Sequence, residues 1–276
     1  MFTYSDPNVS YIWNAVFSQD DHLIATADIS HHALIWNAQT GAVLKRFTSY
    51  YLEPDGGGMR GVSFTPDSKK LLGSNGNGAL QLWNVETGDE IKRYRNRGSI
   101  QSVFIFPDGI RAGIWLLGGV GIININNDQA LKAINGAYPS LSSDGQILQI
   151  RASRNGPLIQ QWDMSTYELI REYVYEPGQI VGIPTISPDG KNFLIGAIIN
   201  TQLSRTSNRE LYDTTTRSLL RQYPVDRISS SNSPLSRDLI IKYFFDGRRF
   251  LTVNGGTVHI WDISDVVTCV EDAFLH

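Results

Sequence analysis

Apolar and polar residues alternate along this chain in short runs with a period of two, and turn residues cut the runs every few positions. Residues 78–94 show the pattern most plainly. Leu80, Leu82 and Val85 stand among polar neighbours, and Trp83-Asn84 closes the run. Glu86-Thr87-Gly88-Asp89 is turn chemistry, because Gly accepts φ > 0 and Asp and Thr bond their own backbone. Ile91 and Tyr94 then open a second run. Such alternation bounded by such turns predicts two strands joined by a hairpin. The pattern returns at Trp36-Asn37, followed by Leu44 and Phe47, and at Trp162-Asp163, followed by Ile170 and Tyr173.

Two markers recur in strict alternation. One is a turn Asp after an apolar strand, at Asp20, Asp67, Asp108, Asp144, Asp189 and Asp246. The other is the strand end, at Trp36-Asn37, Trp83-Asn84, the degenerate Ile123-Asn124, Trp162-Asp163, Tyr212-Asp213 and Trp261-Asp262. The order defines six units of about 46 residues. Each unit supports four short strands; in the second they are expected at 61–65, 70–74, 79–84 and 90–94. Helical periodicity is nearly absent, with one weak candidate at 265–275. One four-stranded unit cannot bury both of its faces, whereas several stacked radially can.

The repeat length, the four-strand layout and the W-[DN] strand ends resemble the WD40 β-propeller family over essentially the whole chain. The resemblance implies an all-β propeller in a single domain, 1–276. Six four-stranded blades are expected, with seven open. Ring closure is open too, through residues 2–4 or 266–270. Members of the family usually open each unit with a Gly-His pair, whose His joins a Ser/Thr, an Asp and the Trp in a hydrogen-bonded set. This sequence has no Gly-His pair, so its repeats are divergent and that set is not carried over.

Composition narrows the function classes. The formal net charge is −3, with no basic or acidic tail, which argues against charge-driven nucleic-acid binding. Cys269 is the single cysteine, so neither a disulfide framework nor a Cys-type zinc site can form within the chain. An intracellular setting, cytoplasmic or nuclear, is the expectation. No run reaches the ~20 apolar residues of a membrane helix, and the first residues do not read as a signal peptide.

The candidate chemistry is sparse. The repeated Asp residues suit local turn bonding better than a shared metal or acid–base site. Asp28, His31 and His32 could hold a metal, but adjacent His side chains on extended backbone point apart, and a solvated loop is the better reading. No nucleophile elbow, zincin motif or P-loop occurs. Lys92, Arg93, Arg95 and Arg97 form a basic run that reads as a charged outer strand, with a phosphate or acidic-peptide contact as the alternative. Residues 229–236 read as a long loop, with phosphorylation as the alternative. No cofactor is expected.

Aligning the repeats is more informative. Seven residues before each turn Asp stand Trp13, Arg60, Gln101, Ala137, Gly182 and Leu239. In the family that position rings the mouth of the central channel, where partners dock. The resemblance therefore implies a partner-binding set of Tyr11, Trp13, Arg60, Arg97, Gln101 and Tyr138. Trp13 has two readings, packing against the next blade or anchoring a partner; interface cores favour Trp, Tyr and Arg. The expected function is a non-catalytic scaffold that binds a protein or peptide at one face, with no nucleic-acid or membrane partner. The alternatives are a metal-assisted hydrolase on a propeller scaffold and one interaction module of a larger protein.

Overall fold

The computed structural model describes residues 12–49, 58–94, 98–153, 157–174, 179–181, 185–187, 189–200, 205–214, 216, 218–224, 240–243, 249–254 and 257–262. They fall into two compact halves, Met1–Ala137 and Tyr138–His276. Among the described residues every regular element is a strand.

The first half holds three four-stranded meanders. The first runs β1 (Ile12–Phe17), β2 (Leu23–Asp28), β3 (His32–Asn37) and β4 (Val43–Thr48). The second runs β5 (Met59–Phe64), β6 (Lys70–Asn75), β7 (Leu80–Asn84) and β8 (Glu90–Arg93). The third runs β9 (Ile100–Ile105), β10 (Arg111–Leu116), β11 (Gly119–Asn124) and β12 (Ala130–Asn135). The expected strands of the second unit are therefore correct to within two residues at each end.

The fourth sheet, in the second half but for the first residue of β13, runs β13 (Ala137–Leu141), β14 (Ile147–Ser153), β15 (Pro157–Asp163) and β16 (Leu169–Val174). The next sheet contains β17 (Gln179–Val181), β18 (Thr185–Ile186), β19 (Asn192–Asn200), β20 (Arg205–Asp213) and β21 (Leu219–Pro224). β17 and β18 both pair with β19, so they are two pieces of one first strand. The sixth sheet shows β22 (Ile240–Tyr243), β23 (Arg249–Asn254) and β24 (Thr257–Asp262). The proposed closing strands, 2–4 and 266–270, the helix candidate at 265–275 and the 229–236 loop lie outside the described residues.

Both sequence markers have a local cause. In the turn after four of the first strands a hydroxyl donates to the turn Asp: Ser18 to Asp20, Thr65 to Asp67, Ser142 to Asp144 and Ser187 to Asp189, at 2.5 to 2.6 Å. These bonds hold the Asp20 and Asp67 carboxyls below the usual carboxylate range. The third unit departs, with Phe106 in place of the hydroxyl and Arg111 Nε donating to Asp108 at 2.5 Å. At the strand end, the residue after the Trp starts the next hairpin. Asn37 Oδ1 accepts the Gln39 and Thr40 N–H groups, and Asn84 Oδ1 those of Glu86 and Thr87. Asp163 Oδ1 accepts those of Ser165 and Thr166. Asn and Asp recur there because a short side-chain oxygen can close an Asx turn.

The apolar strand faces pack sheet on sheet. Ala25, Ile35 and Phe47 meet Met59, Val62, Leu71 and Trp83 between the first two sheets. Leu72, Leu82 and Tyr94 meet Val103, Ala112 and Ile123 between the second and third. Trp36 and Trp83 are buried, as strand-end aromatics were expected to be. Burying roughly 200 Å² of Trp stabilises by about 5 kcal/mol at most. Gly73 makes room for one of them, since a Cβ there would stand 2.5 Å from Trp83 Cζ3. One link of the family's Trp set, which the lack of Gly-His pairs argued against carrying over, is present in the first unit, where Trp36 Nε1 donates to Thr26 Oγ1 at 2.9 Å.

Candidate functional site

The first strands of the first three sheets share an irregularity. In β1 the register passes from Ile12↔Asp28 to Asn14↔Ala27, skipping Trp13. In β5 it passes from Met59↔Asn75 to Gly61↔Ser74, skipping Arg60. In β9 it passes from Ile100↔Leu116 to Ser102↔Trp115, skipping Gln101. The extra residue of a β-bulge leaves the ladder, and its side chain is re-aimed. The position seven before the turn Asp is thus the bulged residue in each of these three strands.

The three side chains meet. The Arg60 guanidinium lies 5.4 Å from the centre of the Trp13 ring, and Arg60 Nη1 donates to Gln101 Oε1 at 2.7 Å. Gln101 Nε2 donates to Ser99 Oγ at 3.0 Å, which fixes the amide with its oxygen toward Arg60. Trp13 is 39% exposed, and Arg60 and Gln101 are half-buried. The backbones beneath are laced together: Val62 N–H donates to Asn14 Oδ1 at 3.2 Å and Ile105 N–H to Ser63 Oγ at 3.0 Å. Gly61 allows the approach of β5 to β9, because a Cβ there would stand 2.8 Å from Val103 N.

Exposed apolar side chains stand at the same end of these sheets. Ile29 lies in the β2–β3 connection, just after Asp28, the pairing partner of Ile12. Leu117 lies in the β10–β11 connection, just after Leu116, the pairing partner of Ile100. Sequence reasoning missed Ser99, Ile29 and Leu117. No repeat marker falls on them, and only the register of the neighbouring strands brings them to this end.

The other expected residues fall differently. Tyr138, in the second half, has φ +55 and lies under Arg151, whose Cζ is 4.8 Å from the ring centre. Tyr11 and Arg97 lie outside the described residues, as do Gly182, Leu239 and Asp246. In the basic run, Arg93 pairs with Glu90 at 2.9 Å. Lys92 Nζ donates to Asn126 O at 2.6 Å. Both are engaged in holding the fold.

Asp28 is fully buried; its Oδ1 accepts the His32 N–H at 2.8 Å and its Oδ2 lies 3.5 Å from His32 Nδ1. Burial holds His31 below the usual histidine range, against the opposing pull of Asp28. Among the described residues no group of three His, Cys, Asp or Glu is placed to hold a metal ion. No helix among them is long and apolar enough to cross a membrane.

No family model matches the chain. Apoptotic protease-activating factor 1 of Rattus norvegicus is 32% identical over 99 residues, which is 34% of this chain and 8% of that protein. WD repeat-containing protein 1 of Gallus gallus is 24% identical over 176 residues, 60% of this chain and 28% of that protein. The chain thus matches less than a third of the length of either curated relative. Hydrazine synthase of Kuenenia stuttgartiensis superposes with a TM-score of 0.77 at 16% identity, over 98% of this chain and 81% of that one. At that identity the likeness is one of fold alone. Sheets, strand ends and relatives agree on the class: an all-β propeller. Its four-stranded sheets fit repeats of the WD40 type, and the partial matches are to WD-repeat proteins.

Proposed function

We propose that the chain is a non-catalytic interaction scaffold that binds a protein or peptide on the face carrying Trp13, Arg60 and Gln101. The supporting observation is the bulge shared by three consecutive sheets, which gathers an aromatic ring, a guanidinium and an amide into one row. Trp, Tyr and Arg carry a large share of binding energy at interfaces. Residues held by bulges on a laced sheet core lose little freedom when a partner docks. The WD-repeat relatives support an interaction role in general. An intracellular setting accompanies this reading. The enzyme named by the structural neighbour brings no catalytic assignment here, because fold does not fix function.

The test is a pull-down from cell extract with the native chain and the Trp13→Ala/Arg60→Ala double variant, matched for thermal unfolding. Loss of the same partners in the folded double variant is the expected result. Unchanged partners remove this face from consideration.

A further inference from the structure

We infer that the docking face selects a peptide segment bearing a carboxylate, an Asp or Glu side chain, which Arg60 receives. The inference rests on the reading of this face as a partner site and names what the partner must present. Arg60 carries a full charge at a half-buried position. Among the described residues its contacts are the amide oxygen of Gln101 and the ring of Trp13. Neither is an anion. Arg60 Nε is buried and has no hydrogen-bond partner. Asp28, the carboxylate at this end of the first sheet, accepts the His32 backbone N–H and forms no ion pair with Arg60. A half-buried guanidinium without a counter-charge is costly, and a ligand carboxylate supplies that charge.

The surroundings define the rest of the segment. Trp13 at 39%, Ile29 at 43% and Leu117 at 79% exposure leave apolar surface at the same end of these sheets as the cation. An acidic residue flanked by apolar ones matches that arrangement, with the carboxylate at Arg60 and apolar neighbours on Trp13 and Leu117. Among the described residues Arg60 is the one guanidinium of the row, and a single guanidinium suits a singly charged carboxylate better than a phosphate, which is generally read by clustered Arg side chains. Gln101, held by Ser99, keeps the guanidinium in place before the ligand arrives. That pre-organisation lowers the ordering cost of binding.

The test uses the full chain and bead-bound heptapeptide pools, random except for a fixed central residue: Asp in one pool, Asn in the second, Lys in the third. Retention of the Asp pool about five-fold above the Asn pool, with the Lys pool lowest, is expected for one charge-assisted contact. The preference should vanish in Arg60→Gln and persist at lower retention in Arg60→Lys, which keeps the charge but loses the fork. Arg60→Lys also preserves the test where the Gln variant does not fold. Equal retention of the Asp and Asn pools, both lost on Trp13→Ala, overturns the carboxylate assignment and leaves the docking face standing. Equal retention unaffected by Trp13→Ala overturns both. A preference for Asp that survives in folded Arg60→Gln overturns the role of Arg60.

Discussion

Arg60 and Gln101 stand 41 residues apart in sequence and are joined by a 2.7 Å hydrogen bond between the bulged positions of β5 and β9. The bond links two sheets whose first strands share no backbone ladder. It therefore contributes to the docking of sheet on sheet as well as to the candidate site. A double-mutant cycle with Arg60→Ala and Gln101→Ala should give a coupling of about 0.5–1.5 kcal/mol in denaturant unfolding, as for a partly exposed charge-assisted bond. Additive single effects would mean that the two side chains meet without stabilising each other.

The repeat markers made much of this legible. Counting back from the turn Asp found Trp13, Arg60 and Gln101 because the Asp is fixed by its own hydrogen bonds, as with Ser18 and Asp20. The count could not reveal that these residues are bulged, since a bulge adds one residue without breaking the apolar alternation on either side. Nor was the role of Lys92 visible: its carbonyl acceptor at Asn126 belongs to the next sheet, 34 residues on. For Tyr138, placed by analogy beside the ring position, neither the left-handed backbone nor the Arg151 guanidinium over its ring was visible. Backbone hand and stacking partner are tertiary outcomes that a strand pattern does not encode.

The outer strands clasp their neighbours in the same way in both halves. Tyr94 OH donates to Ile125 O at 2.8 Å, with Lys92 beside it. Tyr173 OH donates to Thr214 O at 3.1 Å, and Arg171 reaches the same carbonyl. Tyr94→Phe keeps the ring and removes the donor, and should cost about 1 kcal/mol. Tyr94→Phe with Lys92→Met should cost more than the two singles together, because Ile125 O then loses both donors. A double variant as stable as Tyr94→Phe alone would dismiss the clasp.

The fourth sheet carries a polar pair where the others are apolar. Gln149 faces Gln161 across β14 and β15. The matching pairs are Ala25 with Ile35, Leu72 with Leu82, Gly113 with Ile122 and Leu194 with Leu211. Gln149 is 0% and Gln161 1% exposed, and Gln149 Oε1, Gln149 Nε2 and Gln161 Nε2 lack partners. Each such buried group costs about 1–3 kcal/mol. Gln149→Leu/Gln161→Leu should therefore raise stability by about 1–3 kcal/mol, since Leu is close in volume and forfeits only the 3.2 Å approach of Gln161 Oε1 to the Tyr173 hydroxyl, whose proton Thr214 O also accepts. A less stable double variant would show that the amides bind ordered water that the leucines cannot.

The turn hydroxyls make a pH-dependent contribution. The Thr65 hydroxyl is the main cause that lowers the Asp67 carboxyl below the ordinary aspartate value of 3.8, followed by the Lys69 N–H. A depressed folded-state value gives stability that is present above the unfolded value and lost as pH falls through the folded one. Thr65→Val should raise the Asp67 titration toward 3.8 in a carbon-detected NMR titration. It should also destabilise at pH 7, and the part owed to the carboxylate should disappear below the folded-state value. A gap between variant and native chain that is constant from pH 7 down to 2 would assign the whole effect to the lost Lys70 contacts.

Gly61 ties stability to the site. It follows Arg60 directly, and a Cβ there would stand 2.8 Å from Val103 N and 2.9 Å from Ser102 Cα. Both are backbone atoms of β9, so the contact cannot be relieved by turning a side chain. Gly61→Ala must push β5 and β9 apart by several tenths of an ångström, with an expected cost of about 1–3 kcal/mol. The same displacement stretches the 2.7 Å bond from Arg60 to Gln101 and the 3.0 Å bond from Ile105 N–H to Ser63 Oγ. The variant should therefore lose selective capture of acidic peptides while still folded at low temperature, even though Gly61 itself offers no side chain to a partner. Full retention of that selectivity together with a lower melting temperature would separate the spacing of the two strands from the function of the row they carry.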